Sequence, residues 1–296
     1  MKTIIRVFIG LLIILISCKT DEERSKETDA NNFENLSYSE LETIGFKKIK
    51  DPGTFEQGIK YLEEAANKGS SLAAKEVGLR YAWGNGVSKD KWKAQSFLKR
   101  SYDVASQYTL GTLIFEEAQS DYQYKEAYDC FSRSTYGEYD NYSEYMLGYM
   151  NYYGLGTLKN YKLAYEYFDA STKRPNSDTI YGADLLGLGQ AKYFLGIMSL
   201  DGLGCEKDNR KAESFFTSCL MSNACYYMLG VMHYNGLCVR SSKKMAAYYI
   251  KQANDYEAFN NLDREFKSKA RQFWDNYELW RYYEENTINV FNGAFN

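Results

Sequence analysis

Small residues recur along the chain at fixed offsets and divide it into similar segments. With one glycine of each segment taken as position zero, further glycines stand six and eight residues later and an alanine sixteen residues later. The zero positions are Gly78, Gly148, Gly196 and Gly230, the pairs are Gly84 and Gly86, Gly154 and Gly156, and Gly202 and Gly204, with Gly236 and Cys238 in the last segment, and the alanines are Ala94, Ala164, Ala212 and Ala246. A degenerate copy around Gly111 keeps Ala127 but lacks the glycine pair. This periodicity predicts a tandem repeat protein.

Each repeat is predicted to form two helices, A and B. A glycine inside a helix costs about 1 kcal/mol relative to alanine, so its recurrence at the centre of helix A predicts a close approach to another helix. The Gly-x-Gly pair is expected to end helix A through left-handed backbone angles. Twelve residues after position zero stand good N-caps for helix B, namely Asp90, Asn160, Asp208 and Ser242. Within helix B an alanine leaves room and the aromatic residues after it fill the facing groove.

The segment Val77-Gly78-Leu79-Arg80-Tyr81-Ala82-Trp83-Gly84-Asn85-Gly86-Val87 resembles the consensus of Sel-one-like repeats, which are relatives of the tetratricopeptide repeat. The resemblance implies an all-α, right-handed solenoid of helix pairs that serves as an adaptor or scaffold. We assign residues 36–256 to it. They comprise five recognisable repeats, a degenerate N-terminal one, and an insertion near residues 173–187.

The two ends of the chain lack the motif. Residues 257–296 carry an apolar stripe with helical spacing, formed by Leu262, Phe266, Ala270, Phe273, Tyr277 and Trp280. The stripe predicts a helix that caps the last repeat, followed by a tail, rather than a separate binding helix.

The N-terminus has the pattern of an exported protein. Lys2 and Arg6 precede an apolar run, Val7 to Ile16, that is too short to span a bilayer. The sequence Leu15-Ile16-Ser17-Cys18 resembles the bacterial lipobox, which implies that residues 1–17 are a signal peptide and that Cys18 is lipidated. The alternative is an ordinary signal peptide that contains a cysteine. Residues 18–35 are polar and charged and are predicted to be a flexible acidic tether. The expected location is the bacterial cell envelope, as an outer-membrane lipoprotein on the periplasmic or surface face.

Composition narrows the possible functions. The 17% of aromatic residues, with 29 tyrosines, supply enough apolar surface to exclude disorder of the whole chain. The formal charge is −3, and the sequence shows no clustered basic patch, so a nucleic-acid partner is not expected.

Catalytic and cofactor motifs are weak. His233 is the one histidine of the chain and stands where the consensus has tyrosine, which makes a His-rich metal site or a histidine-based catalytic pair improbable. Ser88-x-x-Lys91 and Ser241-x-x-Lys244 match one element of serine β-lactamases but lack the companion elements. We therefore expect a non-catalytic protein without cofactor or metal. The alternative is a β-lactam or peptidoglycan hydrolase, since cysteine-rich relatives are associated with such activity.

Cysteines of an exported protein are candidates for disulfides. Cys219 falls late in one helix B and Cys225 early in the next helix A. The cysteine-rich branch of the family has a disulfide across this same turn. Cys205 and Cys238 occupy near-equivalent loops of adjacent repeats and are a second candidate pair. Because five cysteines follow Cys18, at least one thiol stays unbridged, and Cys130 is expected to be it.

Tyrosines provide the strongest indication of a binding site. Helix A positions three before and four after position zero tend to face the inner surface in tetratricopeptide-like units. The proposed groove for a protein, peptide or glycan partner comprises Tyr145, Tyr149, Tyr152, Tyr153 and Tyr234. The alternative is that these rings are ordinary packing. The expected function is an envelope-anchored interaction scaffold, of an immunity or adaptor type.

Overall fold

A computed structural model of the chain describes residues 33–135, 140–173, 183–219, 222–238, 240–258 and 261–283. These residues form α-helices and one short 3-10 helix, and the described ranges contain no β-strand. The helices are α1 (Tyr38–Lys48), α2 (Phe55–Asn67), α3 (Ser71–Trp83), α4 (Lys91–Leu98), α5 (Val104–Glu117), α6 (Asp121–Arg133), α7 (Asp140–Tyr153), α8 (Tyr161–Lys173), α9 (Ala183–Asp201), α10 (Asn209–Thr217), α11 (Asn223–Tyr234), α12 (Lys243–Asp255) and α13 (Asn261–Asn276), and the 3-10 helix is Leu279–Arg281. The all-α prediction is confirmed.

The described residues form two compact units, which divide between Thr109 and Leu110, within α5. In the first unit α1 packs on α2 and α3 on α4. In the second unit the pairs are α7 with α8, α9 with α10, and α11 with α12. Each unit is therefore a stack of helix pairs, as expected for helical repeats.

Helices A and B of each repeat approach most closely at the glycine taken as position zero. A methyl group on Gly148 would lie 2.7 Å from the Phe168 ring, and one on Gly196 would lie 2.5 Å from the Phe216 ring. The partner stands twenty residues after the glycine each time, including Phe131 opposite Gly111 in the degenerate copy. The close approach predicted from the glycine spacing is confirmed.

The loop between helices A and B is built by the glycine pair. Gly154 and Gly156 have φ values of +75° and +64°. Gly156 lies so close to the preceding helix B that an added methyl group would overlap the backbone of Tyr124 and Lys125, and its N–H donates to the Asp121 carboxylate at 3.1 Å. The predicted left-handed turn is confirmed, and the second glycine also permits contact with the preceding repeat.

Helix B starts where the sequence predicts. The side chains of Asp90, Asn160, Asp208 and Ser242 each accept a hydrogen bond from a backbone N–H in the first turn of the following helix. The alanines at offset sixteen are fully buried. Phe168 and Phe216, which follow them, are fully buried as well, so these positions form the core between the paired helices.

The structure describes residues at the end of the predicted tether and on both sides of the predicted insertion. Phe33, assigned to the tether, packs edge-on against Tyr61 at 4.9 Å, because an aromatic ring gains more from burial than from solvent. The folded part therefore begins before residue 36. In the insertion, α8 extends to Lys173 and α9 begins at Ala183, while residues 174–182 lie outside the described residues.

The C-terminal helix α13 packs against both helices of the last repeat, α11 and α12. Phe266 and Ala270 of the predicted stripe are buried, whereas Tyr277 and Trp280 are about half exposed. The stripe ends early because α13 stops at Asn276, and the buried residue beyond it is Leu279. Within the described residues, no helix has both the length and the apolar character needed to cross a membrane.

Candidate functional site

Four tyrosines of α7 form one aromatic cluster with Phe194 of α9. The ring centroids of Tyr149 and Tyr153 are 4.6 Å apart, and those of Tyr152 and Tyr153 are 4.9 Å apart. Phe194 lies 5.1 Å from Tyr152 and 6.4 Å from Tyr145. We call these five residues the aromatic face. It joins the first helices of two consecutive repeats.

Exposure rises across the aromatic face. Tyr145 is 7% exposed and packs on Phe168, so it belongs to the core. Tyr149 and Tyr152 are half-buried, and Tyr153 is 48% exposed. The packing interpretation therefore holds for Tyr145, whereas Tyr153 and the edges of its two neighbours can contact a partner.

The phenol groups of the aromatic face stay neutral. Burial raises the pKa of all four tyrosines, and neighbouring phenols raise it further. The Asp201 carboxylate adds to the rise in the pKa of Tyr152, and the Glu265 carboxylate does so for Tyr153. The accessible part of the face thus combines apolar rings and hydroxyl groups with two nearby carboxylates, of which Glu265 is paired with Lys269 at 2.6 Å.

Phe194 is a residue of this site that sequence reasoning missed. It stands directly before the Leu-Gly of its repeat, where the repeats that start at Gly148 and Gly230 have methionine. Its ring stacks on Phe168, with centroids 4.8 Å apart, and is also contacted by the four tyrosines of α7. The only sign of this role in the sequence was that an aromatic residue stands at a position where two other repeats have methionine.

Tyr234 does not lie with the other candidate tyrosines, which corrects the predicted groove. Its ring packs against Phe273 at 5.4 Å and Tyr277 at 4.7 Å, both in the C-terminal segment. The Lys243 ammonium group lies over the same ring, 3.0 Å from its centroid. Tyr234 is covered because the apolar stripe of α13 needs a surface on which to bury its rings.

Helix α13 also reaches the first helix of the preceding repeat. Phe266 lies 5.3 Å from Tyr227 on α11 and 5.5 Å from Tyr193 on α9. Tyr193 in turn contacts Phe194 of the aromatic face at 5.5 Å. The tyrosines that precede position zero in the last two repeats are thus covered by a helix of the same chain, and the aromatic face continues the surface beyond that helix.

The cysteines fall into three environments. Cys219 and Cys225, the first candidate pair, are joined by a disulfide that links the end of α10 to the start of α11. Cys205 and Cys238, the second candidate pair, both carry free thiols. The Cys205 thiol contacts the carbonyl of Met198, so it is turned towards its own helix A. Cys130 keeps its thiol buried in α6.

Ser88 and Ser241, the serines of the two Ser-x-x-Lys strings, each lie in the loop between helices A and B of their repeat. Ser88 lies exposed in the loop before α4. The Ser241 hydroxyl donates to the carbonyl of Cys238 at 2.8 Å and accepts from the N–H of the same residue at 2.9 Å. Ser241 is therefore engaged in a turn. Cys18 lies outside the described residues.

Comparison with known proteins gives a consistent result. The Sel1 repeat family model matches residues 52–70, 71–103, 141–174, 189–218 and 223–255, which together make up half of the chain. The degenerate copy around Gly111 is not matched, although its glycine and Phe131 keep the spacing of the other repeats. The sequence matches no curated protein closely enough to count as a relative.

Two solved structures resemble this one. A Sel1 repeat protein from Oxalobacter formigenes aligns over 82% of this chain and 93% of its own, with 18% identity and a TM-score of 0.55. A protective antigen of uropathogenic Escherichia coli with an SLR fold aligns over 83% of this chain and 59% of its own, with 17% identity and a TM-score of 0.43. The first likeness supports the fold.

Proposed function

Because this chain belongs to the Sel1 repeat family, we propose that it is a non-catalytic interaction scaffold that binds a protein or peptide on its aromatic face. Sel1 repeats mediate protein–protein interactions. Residues of the second unit support the binding site and the kind of partner. The N-terminal sequence supports the location.

The observation that carries the proposal is the docking of α13 on the tyrosines of α9 and α11. Phe266 and Phe273 of α13 rest on Tyr193 and Tyr227, so this surface already accommodates an amphipathic helix with aromatic anchors. The neighbouring aromatic face offers the same kind of rings, and Tyr153 is 48% exposed there. Exposed, clustered tyrosines are favourable contact residues because each brings a large rigid ring and a hydroxyl group.

The chemistry of the surround indicates what the partner carries. Tyr152 and Tyr153 lie near the carboxylates of Asp201 and Glu265. Glu265 is already paired with Lys269 at 2.6 Å, so a lysine or arginine inserted beside Tyr152 would meet the face of that ring and the charge of Asp201. We therefore propose a partner segment that combines apolar anchors with a basic side chain.

The alternative function, hydrolysis of a β-lactam or of peptidoglycan, requires a serine that is free to attack. Ser241 both donates and accepts a hydrogen bond within its turn. Ser88 is exposed, but neither Ser88-x-x-Lys91 nor Ser241-x-x-Lys244 has the companion elements of a serine β-lactamase. The purified protein is expected to leave a chromogenic β-lactam intact.

The binding site is tested by photocrosslinking in cells. A benzophenone amino acid at Tyr153 is expected to yield a specific adduct, whereas the same residue at Tyr122, an exposed tyrosine of α6, is expected to yield none. The captured protein is then purified, and its affinity for wild type and Tyr153→Ala is compared. A loss of at least about tenfold is expected if Tyr153 is a binding hot spot.

Equal crosslinking at Tyr122 and Tyr153, or equal affinity of wild type and Tyr153→Ala, would remove the aromatic face from the proposal. An adduct whose mass identifies a carbohydrate would replace the protein partner with a glycan. Hydrolysis of the chromogenic substrate would overturn the non-catalytic function.

We further propose that Cys18 anchors the chain to the bacterial cell envelope, as an outer-membrane lipoprotein of the immunity or adaptor type. Support comes from the apolar run that ends at this cysteine. Two or three acyl chains hold a protein on a membrane far better than one, since each buried CH₂ contributes about 0.8 kcal/mol. Labelled palmitate is expected to enter the wild type and not Cys18→Ala. Equal labelling of the two would show that Cys18 is not the anchor.

A further inference from the structure

Two residues of the last repeat, His233 and Cys238, lie close together. Position three after the glycine varies among the repeats: it is Tyr81, Asn151 or Ser199 in the other repeats with a glycine pair, and it is a histidine in the last. Position eight is glycine in three repeats and Cys238 in the last. Cys238 does not have a positive φ, so its loop follows a different path from the glycine loops and turns the thiol inward, where it is 8% exposed.

A carboxylate of the preceding helix completes the group. Glu213 of α10, His233 near the end of α11 and Cys238 in the loop after it each place one donor atom within 4.8 Å of the other two. His233 is 5% exposed, and its ring lies nearly parallel to Tyr249, with centroids 5.3 Å apart. Three elements of the fold therefore deliver one oxygen, one nitrogen and one sulfur to the same point.

The histidine lacks a partner that its counterpart has. In the first unit the Tyr81 hydroxyl donates to the Glu63 carboxylate of the preceding helix at 2.6 Å and accepts from Lys93. His233 occupies the same position, yet its Nδ1 is buried and has no hydrogen-bond partner among the described residues. A buried nitrogen without a partner is costly, and a bound ion is one way to satisfy it.

We propose that Glu213, His233 and Cys238 bind a zinc ion. Thiolate, imidazole and carboxylate are the donors that zinc takes in tetrahedral sites. The thiol of Cys238 loses its proton to solvent as the sulfur–zinc bond forms, so binding releases one proton. Glu213 also lines an open surface cleft with Arg210 and Ser214, so this ligand is reached from solvent.

Burial sets the protonation of the imidazole and thiol donors. Burial and the nearby Glu213 carboxylate, which bonds to the thiol, raise the pKa of Cys238 to about 12. Burial lowers the pKa of His233, which keeps the imidazole neutral and its lone pair available. A divalent ion reverses the first effect, because a coordinated thiol is deprotonated.

The zinc would be a second crosslink between α10 and α11. The disulfide from Cys219 to Cys225 already links the end of α10 to the start of α11. His233 lies eight residues further along the helix, about 12 Å away at 1.5 Å per residue. With a single histidine the chain excludes a histidine-rich metal site, but not a site made of one carboxylate, one imidazole and one thiolate.

Metal titration tests the proposal. The full chain carrying Cys18→Ala, so that the N-terminal thiol does not compete, is treated with a chelator and kept without thiol reductant to preserve the disulfide. Cobalt(II), the spectroscopic substitute for zinc, is expected to produce a thiolate charge-transfer band at one equivalent and the visible bands of a tetrahedral ion. Zinc is expected to displace the cobalt and to raise the unfolding temperature.

Variants separate the site from incidental binding. In the same background, Cys238→Ser and His233→Tyr are expected to lose the charge-transfer band, and Glu213→Gln, which changes a half-buried helix position, to weaken zinc binding by at least about tenfold. Cys205→Ser, the free thiol of the equivalent loop, is expected to bind like the parent. Absence of the band in the parent, no effect of Glu213→Gln, or equal loss in Cys205→Ser would overturn the zinc site.

Discussion

The carboxylate of Asp263 accepts a hydrogen bond from the backbone N–H of Asn223 at 3.1 Å. It accepts a second from the hydroxyl of Ser222 at 2.7 Å. A residue of α13 thereby caps the start of α11, forty positions earlier in the chain. Because the first N–H groups of a helix lack partners within it, this contact fixes α13 to the last repeat.

Replacement of Asp263 is expected to loosen that attachment. Asp263→Ala leaves the N–H of Asn223 without its buried acceptor, and a loss of about 1.5–3 kcal/mol in the free energy of unfolding is expected. Urea denaturation measures it, and hydrogen exchange should rise in α13. Asp275→Ala, at an exposed position of the same helix, serves as control and should change stability by less than about 0.5 kcal/mol. Equal effects of the two variants would show that the cap contributes nothing.

Alanine substitutions at Tyr145 and Tyr153 are expected to affect different properties, stability for the first and partner binding for the second. Tyr145 is buried, so Tyr145→Ala should cost about 3–5 kcal/mol of stability, as for other large aromatic truncations in a core. Tyr153→Ala should leave stability within about 0.5 kcal/mol and weaken the partner by more than about 1 kcal/mol. Thermal unfolding and partner titration measure the two quantities. A Tyr153→Ala variant that is unstable but binds normally would make Tyr153 a packing residue.

The two glycines of one loop offer a matched comparison. Both have positive φ, and a methyl group on Gly154 would lie 3.3 Å from its nearest neighbours, whereas one on Gly156 would overlap backbone. Gly154→Ala is therefore expected to cost about 1–2 kcal/mol, which is the left-handed strain alone. Gly156→Ala should cost about 3 kcal/mol or more, because the loop must also move away from α6. Equal losses in urea denaturation would contradict the contact between repeats.

The disulfide between Cys219 and Cys225 is expected to contribute modestly. It closes a loop with a sequence separation of 6, and the chain-entropy relation gives about 2 kcal/mol for so short a loop. The double variant Cys219→Ala and Cys225→Ala should lose this amount when both proteins are measured in chelator, which removes any contribution of bound metal. Peptide mapping without reductant should show the two cysteines linked. Full alkylation of both thiols before reduction would mean that the disulfide does not form.

The repeat itself was predictable because its residues have local physical causes. Gly148 must let Phe168 approach, Gly154 must end a helix, and Asn160 must cap the next one, so each leaves a trace at a fixed offset. The sequence therefore predicts the order of the helices and the core between the paired helices. The sequence does not predict contacts between residues that are far apart in the chain. An example is the packing of Phe33 on Tyr61.

The candidate site was predictable only in part for the same reason. Four tyrosines on one side of α7 follow from helical spacing, whereas their exposure depends on Phe194, a residue of another helix. The cover over Tyr234 depends on the direction that α13 takes after α12, which no periodicity encodes. Likewise, Glu213 meets His233 only through packing between repeats.

The linker between α12 and α13 is short, since α12 ends at Asp255 and α13 begins at Asn261. A segment of another protein that binds Tyr193 or Tyr227 therefore competes with α13. Because α13 is part of the same chain, its effective concentration at this surface is in the millimolar range, about that of other short linkers. A free ligand of ordinary affinity and cellular abundance loses that competition, while one that docks on Tyr153 avoids it. The chain thus carries its own competitor over one part of the tyrosine surface and directs incoming partners to the other.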